Sequence, residues 1–335
     1  MADKIATREA YGKALVALAD KYPFVVLDAD LSQATKTCLF AKEHPDRFFD
    51  CGIAEGNMMS VAAGIASTGT IPFVSSFAMF AAGRAFEQVR NSVAYPHLNV
   101  KIGATHAGIT VGEDGATHQC CEDFALMRVI PGMTVICPAD GPETYLAVEA
   151  ALKWEGPVYL RFGRYAVPEV TVGDNVAPFE IGKGRLLREG SDVTLVAIGY
   201  MVHLALEAAE QLASEGVSAE VIDMHTLKPL DAELLLQSAG KTGAVVTAEE
   251  HNIIGGLGSA VCEALSENCP VPVERVGVRD TFGRSGKVPQ LLEYYGLTSS
   301  EIVSRAKAAI AKRNKKQNHT PARIARAFFV LSGVI

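Results

Sequence analysis

Apolar runs and amphipathic stretches alternate along the whole chain, the pattern of parallel sheets covered by helices. Arg8 to Tyr22 has a helical period, and Phe24-Val25-Val26-Leu27 reads as a buried strand ending in Asp28-Ala29-Asp30. The pattern then predicts a helix of small residues from Glu55 to Ala66, a strand from Pro72 to Phe77, a helix from Ala81 to Ala94, and strands at Val100 to Thr105 and Thr134 to Cys137. Pro142 opens a helix to about Trp154, since proline suits the first helical turn, and Pro157 to Phe162 is one more strand. From Val167 to Gly184, valine, proline, glycine and charge follow without a period, the mark of a linker. Alternation restarts with a strand from Val193 to Ile198 and a helix from Val202 to Ser214. Strands at Ala219 to Ile222 and Ala244 to Thr247, a helix after Gly258, a strand near Val273 to Val278 and a helix from Glu301 to Lys312 complete the set.

The reading is an α/β chain of two domains, each a largely parallel sheet flanked by helices. Residues 1–170 form the first, 171–186 a linker, 187–313 the second, and 314–335 a tail. At 335 residues, 49% hydrophobic and 21% charged, the chain is long enough for two cores. The tail stands apart: Asn314 to Pro321 is polar and basic, and Ala325 to Ile335 is apolar with a helix-like opening. It reads as an incidental extension, with a partner-docking helix as the alternative.

A net charge of -7 argues against nucleic acid or an anionic membrane as a partner, since both call for a basic surface. Any substrate phosphate then has to be met by local arginines. Seven cysteines without metal-ligand spacing suggest reduced thiols in a cytoplasmic protein, with Cys120 and Cys121 packed rather than bridged. Met1-Ala2-Asp3-Lys4 opens no secretory leader, and no apolar run reaches spanning length.

Candidate chemistry concentrates between Thr105 and Gln119, where His106, Glu113, Asp114 and His118 crowd a glycine-punctuated loop after an apolar strand. Loops at strand ends carry chemistry more often than stability. Upstream, Gly52-Ile53-Ala54-Glu55-Gly56-Asn57-Met58 puts a carboxylate at a helix start, and Ser75-Ser76-Phe77-Ala78-Met79-Phe80 sets two rings three residues apart. Further on, Gly255-Gly256-Leu257-Gly258-Ser259 opens a helix whose amides suit an anion, with tight helix–strand packing as the simpler reading.

These segments closely resemble the pyrimidine-binding half of transketolase, a thiamine-diphosphate enzyme. The resemblance covers roughly residues 5 to 313 and is specific at Glu55, Gly112-Glu113-Asp114-Gly115 and Thr117-His118-Gln119. It implies that Glu55 hydrogen-bonds the aminopyrimidine and favours the imino tautomer that removes the thiazolium proton, opening ylide chemistry. That task calls for an apolar setting with few competing charges. It further implies that Phe77 and Phe80 stack on the pyrimidine, that Asp30 lies near the cofactor, and that His118 works beside the reacting carbon. On the sugar side it assigns the distal phosphate to Arg8, His106 and Arg164, and an acceptor hydroxyl to Asp114. Ungapped counting from Gly156-Pro157 selects Arg164 over Arg161. The chain departs from the family at Gly83, where a tyrosine commonly completes the pocket, and at Ala34, where a phosphate-binding serine is expected beside Thr35 and Lys36. His97, His203, His225 and His251 read as structural.

The family's other half is missing. Its enzymes hold the diphosphate through a divalent metal bound by Gly-Asp-Gly and a later Asn, because a hard cation needs oxygen ligands. Val172-Gly173-Asp174-Asn175 is the nearest approach here, so no metal site is expected in this chain. The resemblance therefore implies the C-terminal subunit of a split transketolase, active only with an N-terminal transketolase subunit that holds most of the thiamine diphosphate and its Mg2+ or Ca2+. The expected assembly is an α2β2 heterotetramer containing a homodimer of this chain. The expected reaction is transfer of a two-carbon ketol unit from a ketose phosphate to an aldose phosphate, as in the pentose phosphate pathway. A deoxyxylulose-phosphate synthase half is the close alternative, similar through Met201-Val202-His203 and Ile222-Asp223-Met224 but generally lacking a histidine at 106 and carrying an arginine where Phe80 stands. The beta subunit of a 2-oxo acid dehydrogenase would not show Gly-Glu-Asp-Gly-Ala-Thr-His-Gln. A non-catalytic assembly subunit is disfavoured by the intact set Glu55, Asp114 and His118. The second domain resembles the transketolase C-terminal domain, whose role is mainly assembly.

Overall fold

A computed structural model describes residues 4–173 and 177–331, with side chains through 315. Asp174 and Asn175 of the nearest approach to a metal motif, and the last four residues of the tail, lie outside the described residues. Two mostly parallel sheets organise the chain. In the first, the spatial order is Thr226–Lys228, Thr134–Ile136, Val158–Arg161, Lys101–Thr105, Ile71–Phe77, Phe24–Asp28 and Phe48–Asp50. In the second it is Val273–Val278, Val245–Asn252, Val193–Ala197, Ala219–Asp223 and Arg185–Arg188. Central strands such as Lys101–Thr105 and Val158–Arg161 are buried at every residue, which is why they appear in the sequence as unbroken runs rather than alternations.

Some pieces left no periodic trace. Thr226–Lys228 crosses from the second half of the chain to pair antiparallel with Thr134–Ile136. Arg185 and Leu186, the last residues of the expected linker, belong to the antiparallel edge strand Arg185–Arg188. The helix Ala232–Thr242, which follows Thr226–Lys228, is N-capped by Asp231 accepting from the Leu234 amide. The final helix runs Ser299–Leu331, well past Lys312, because the lysines, arginines and alanines of the tail are good helix formers. Among the described residues no helix is long and apolar enough to cross a membrane. Cys120 and Cys121 are both buried.

The stretch expected to be one helix from Ala81 to Ala94 is a π-helix at Met79–Arg84, a short α-turn at Phe86–Gln88 and a second π-helix at Val89–Ala94. The widened turn closes with the Ala85 amide on the Phe80 carbonyl at 3.1 Å. Such turns concentrate at functional sites because they re-aim side chains.

Four neighbouring parallel strands end at Arg161, Thr105, Phe77 and Asp28. The loops that follow therefore open at one edge, the position where α/β sheets place their ligands.

Candidate active site

A short antiparallel ladder of Ile5–Ala6 with Ala166–Val167 brings the chain's start to this edge. The Gly163 amide donates to Thr7 Oγ1 at 2.7 Å, and the Arg8 amide donates to the Gly163 carbonyl at 3.2 Å. Arg8 and Arg164 are thereby held on one rim. Arg8 Nη1 donates to the Ala34 carbonyl at 2.9 Å and to His106 Nε2 at 3.0 Å. Position 34, where the resemblance implies a serine, thus contacts Arg8 through its backbone.

His106 is buried, stacks on Phe77 with centroids 3.8 Å apart, and contacts Thr105 Oγ1 through Nδ1 at 2.9 Å. Burial, followed by the charges of Arg8 and Arg164, pushes it down to about 3. The ring is neutral at physiological pH, so Nε2 accepts from Arg8 and Nδ1 donates to Thr105. Its backbone is left-handed at φ 55, a strained conformation for this residue that the surrounding contacts hold in place. His106, which the resemblance implies helps hold the distal phosphate, is hydrogen-bonded to Arg8.

Arg164, Arg8 and Lys287 line a cleft of about 380 Å³ together with Thr110, Glu113 and Tyr165. Arg164 Nη1 reaches the Val111 carbonyl and lies 3.8 Å from Glu113 and 4.0 Å from the exposed Asp114. Arg161 points the other way. It is buried, donating through Nε to Asp123 at 2.8 Å and through Nη2 to the carbonyls of Glu250 at 2.9 Å and Cys120 at 3.3 Å. Of the two arginines, only Arg164 faces the cleft.

Glu55 opens the helix Glu55–Ala66 and is 1% exposed. Its Oε2 accepts from Arg84 Nη1 at 3.0 Å and its Oε1 from Ser76 Oγ at 3.4 Å. The Arg84 guanidinium lies over the Phe80 ring, 4.7 Å from its centroid. The setting of few competing charges expected around Glu55 thus holds one strong cation, because the π-turn delivers Arg84 to the carboxylate. Phe77 and Phe80 stack at 5.8 Å, and His118 presents its edge to both, at 6.0 Å and 5.4 Å. A side chain at Gly83 would collide with the end of Met79, which fills the space where a residue-83 ring would begin. Asp30 is exposed at the end of its strand, and the capping work falls to Asp28, which accepts from the Leu31 amide, Thr35 and Thr37.

The loop from Gly108 to Gln119 is braced by the second domain. Gly112, at φ 85 and ψ -123, breaks the helical run Ile109–Asp114 in a conformation open to glycine. Gln119 Nε2 donates to the carbonyls of Ile109, Gly112 and Arg284, and the Thr110 amide donates to Glu250 Oε1 at 2.5 Å. Glu249 meanwhile accepts from the amides of Leu257 and Gly258 at 2.7 and 2.8 Å. The glycine turn at 255–259 therefore seats the chain's own carboxylate.

Burial pushes both Glu249 and Glu250 up to about 7. Between about 4.3, the unfolded value, and about 7 the native state keeps a proton on Glu250 that the unfolded chain releases, so linkage removes stability as pH rises. Glu250→Gln keeps an acceptor for Thr110 and removes that titration. Denaturant unfolding is expected to show wild type losing stability relative to Glu250→Gln from pH 4.5 to 7, with a constant difference above; the buried histidines contribute equally to both proteins. A difference growing in the other direction would contradict the assignment.

The chain matches the transketolase pyrimidine-binding domain family over residues 3–169 and the transketolase C-terminal domain family over residues 182–302. It is 52% identical over 300 residues to a protein of Methanocaldococcus jannaschii that carries the name of a transketolase C-terminal section, covering 89% of this chain and 94% of that one. It is 49% identical to the 6-deoxy-6-sulfo-D-fructose transketolase subunit SqwH of Clostridium sp. strain MSTE9, covering 92% and 95%. A solved structure described as a split-gene transketolase in an inactive beta4 tetramer aligns at TM-score 0.86 and 58% identity, covering 92% of this chain and 99% of that one. The chain belongs to the transketolase family, and corresponds to the C-terminal half of a split transketolase-like enzyme.

Proposed function

We propose that this chain is the C-terminal subunit of a split, cytoplasmic transketolase that moves a two-carbon ketol unit from a ketose phosphate to an aldose phosphate. The observation that carries the reading is an unbroken line of contacts from Glu55 through Arg84, Phe80, Phe77 and His106 to Arg8. It joins a buried carboxyl and an aromatic wall to a cationic cleft. A carboxyl and a flat ring face are what an aminopyrimidine requires, so the residues fit thiamine diphosphate.

When bound, that cofactor supplies the nucleophilic carbon that takes up the two-carbon unit. Glu55 shares a proton with the pyrimidine ring, which requires Arg84 to yield its hydrogen bond. Phe77 and Phe80 orient the ring and exclude water, and Asp30 lies near the cofactor. His118 donates a hydrogen bond to the sugar carbonyl as charge develops there. Arg8, positioned by His106, and Arg164 bind the terminal phosphate, while Asp114 accepts from an acceptor hydroxyl. The diphosphate and its Mg2+ or Ca2+ fall to an N-terminal subunit in an α2β2 assembly. The relative described as an inactive beta4 tetramer supports this dependence.

Mixing the chain with a Gly-Asp-Gly-bearing subunit tests the function. Hydroxypyruvate is expected to serve as donor; pyruvate as the better donor would instead indicate the synthase, and no turnover an assembly subunit. In the same mixture Arg164→Ala should raise KM for xylulose 5-phosphate by roughly 10- to 100-fold, the worth of one charged hydrogen bond. An equal rise for hydroxypyruvate would remove the phosphate role.

A further inference from the structure

Resting on that reading, we propose that Lys287, carried by the second domain, is a further binding residue for the sugar's terminal tetrahedral oxyanion. The cleft joins Arg8, Arg164 and Lys287 with one carboxylate, Glu113, in its lining. Arg8 and Arg164 face each other as like charges, and Arg8 Nε is buried without a partner. An anion between them relieves both deficits. Lys287 forms no ion pair or side-chain hydrogen bond to other described residues, and its side chain is exposed.

Its backbone is well placed for this. A Cβ at Gly112 would lie 3.3 Å from Val288, 3.5 Å from Arg164 Nη1 and 3.6 Å from the Gly286 carbonyl, so the segment around Lys287 and the Arg164 guanidinium share one side of that glycine. Gln119 ties the same segment to the loop through the Arg284 carbonyl at 3.0 Å. The Lys287 carbonyl accepts from the Leu291 amide at 3.1 Å, seating the residue at the head of the following helix. A compact ammonium with rotatable donors suits a phosphate ester or a sulfonate alike. The ester carries more negative charge at neutral pH and gains more from an added cation.

The test uses the complex reconstituted with the N-terminal subunit, with hydroxypyruvate as the donor lacking a terminal phosphate. Lys287→Met is expected to raise KM for xylulose 5-phosphate about fivefold, as for one exposed charged contact, with kcat held. The rise should be smaller for 6-deoxy-6-sulfofructose, reduced at high salt, and largely reversed in Lys287→Arg. An equal rise for hydroxypyruvate, or no rise at all, overturns the proposal. Arg164→Ala separates the causes: if it raises KM for the phosphorylated donor while Lys287→Met does not, only the role of Lys287 falls. If neither does, the anion cleft itself falls.

Discussion

In the assembled enzyme, Glu55→Gln is expected to slow proton exchange at the cofactor's reactive carbon by about 100-fold or more, the range for loss of an acid–base group. Glutamine keeps the size of the side chain: its carbonyl can still accept from Arg84, and its amide can donate to the Ser76 hydroxyl, the two partners that shape the carboxyl's position. The pocket should therefore stay intact while the shared proton is lost. Deuterium exchange of the cofactor followed by NMR reads this step without requiring sugar turnover. An unchanged exchange rate, with unchanged thermal stability, would remove Glu55 from the chemistry.

The second large effect is on stability and separates two arginines that are near neighbours in sequence. Arg161→Met should destabilise the chain by about 3–5 kcal/mol, as expected when one partner of a buried pair is removed. It strands Asp123, a fully buried carboxylate whose other hydrogen bond comes from Tyr159 at 2.9 Å, and frees the carbonyls of Cys120 and Glu250. Because Glu250 belongs to the second sheet, the loss also loosens the join between the two halves. Asp123→Leu combined with Arg161→Met should recover part of the loss, since removing both charges leaves none unpaired. Arg164→Ala, at the cleft, should change unfolding little. Similar denaturation midpoints for Arg161→Met and Arg164→Ala would contradict this division.

The parallel sheets were legible because strands buried on both faces appear as apolar runs; the helix Glu55–Ala66 was recovered to the residue, and a strand lies at Val273–Val278, near where it was expected. The local part of the site was legible for a related reason. Phe77 and Phe80 lie in one segment, and His106, Asp114 and His118 in one loop, so the resemblance to the family could be carried by contiguous motifs. Arg84 escaped because its approach to Glu55 depends on a π-turn, and an ordinary helical period does not reveal one. An arginine four residues after Phe80 was the available signal. The bracing roles of Gln119 and Glu250 escaped because their partners lie across the domain boundary, 165 residues away for the Gln119–Arg284 bond and 140 for Thr110–Glu250. No local pattern encodes such a bond. The second domain, expected mainly to assemble, also shapes the loop that carries the candidate chemistry.

Partner dependence is the centre of the account, and a calorimetric titration of thiamine diphosphate with Mg2+ addresses it most directly. The chain alone is expected to give negligible heat, and its mixture with a Gly-Asp-Gly-bearing N-terminal subunit a saturable, metal-dependent isotherm. Micromolar, magnesium-dependent binding by the purified chain on its own would contradict it.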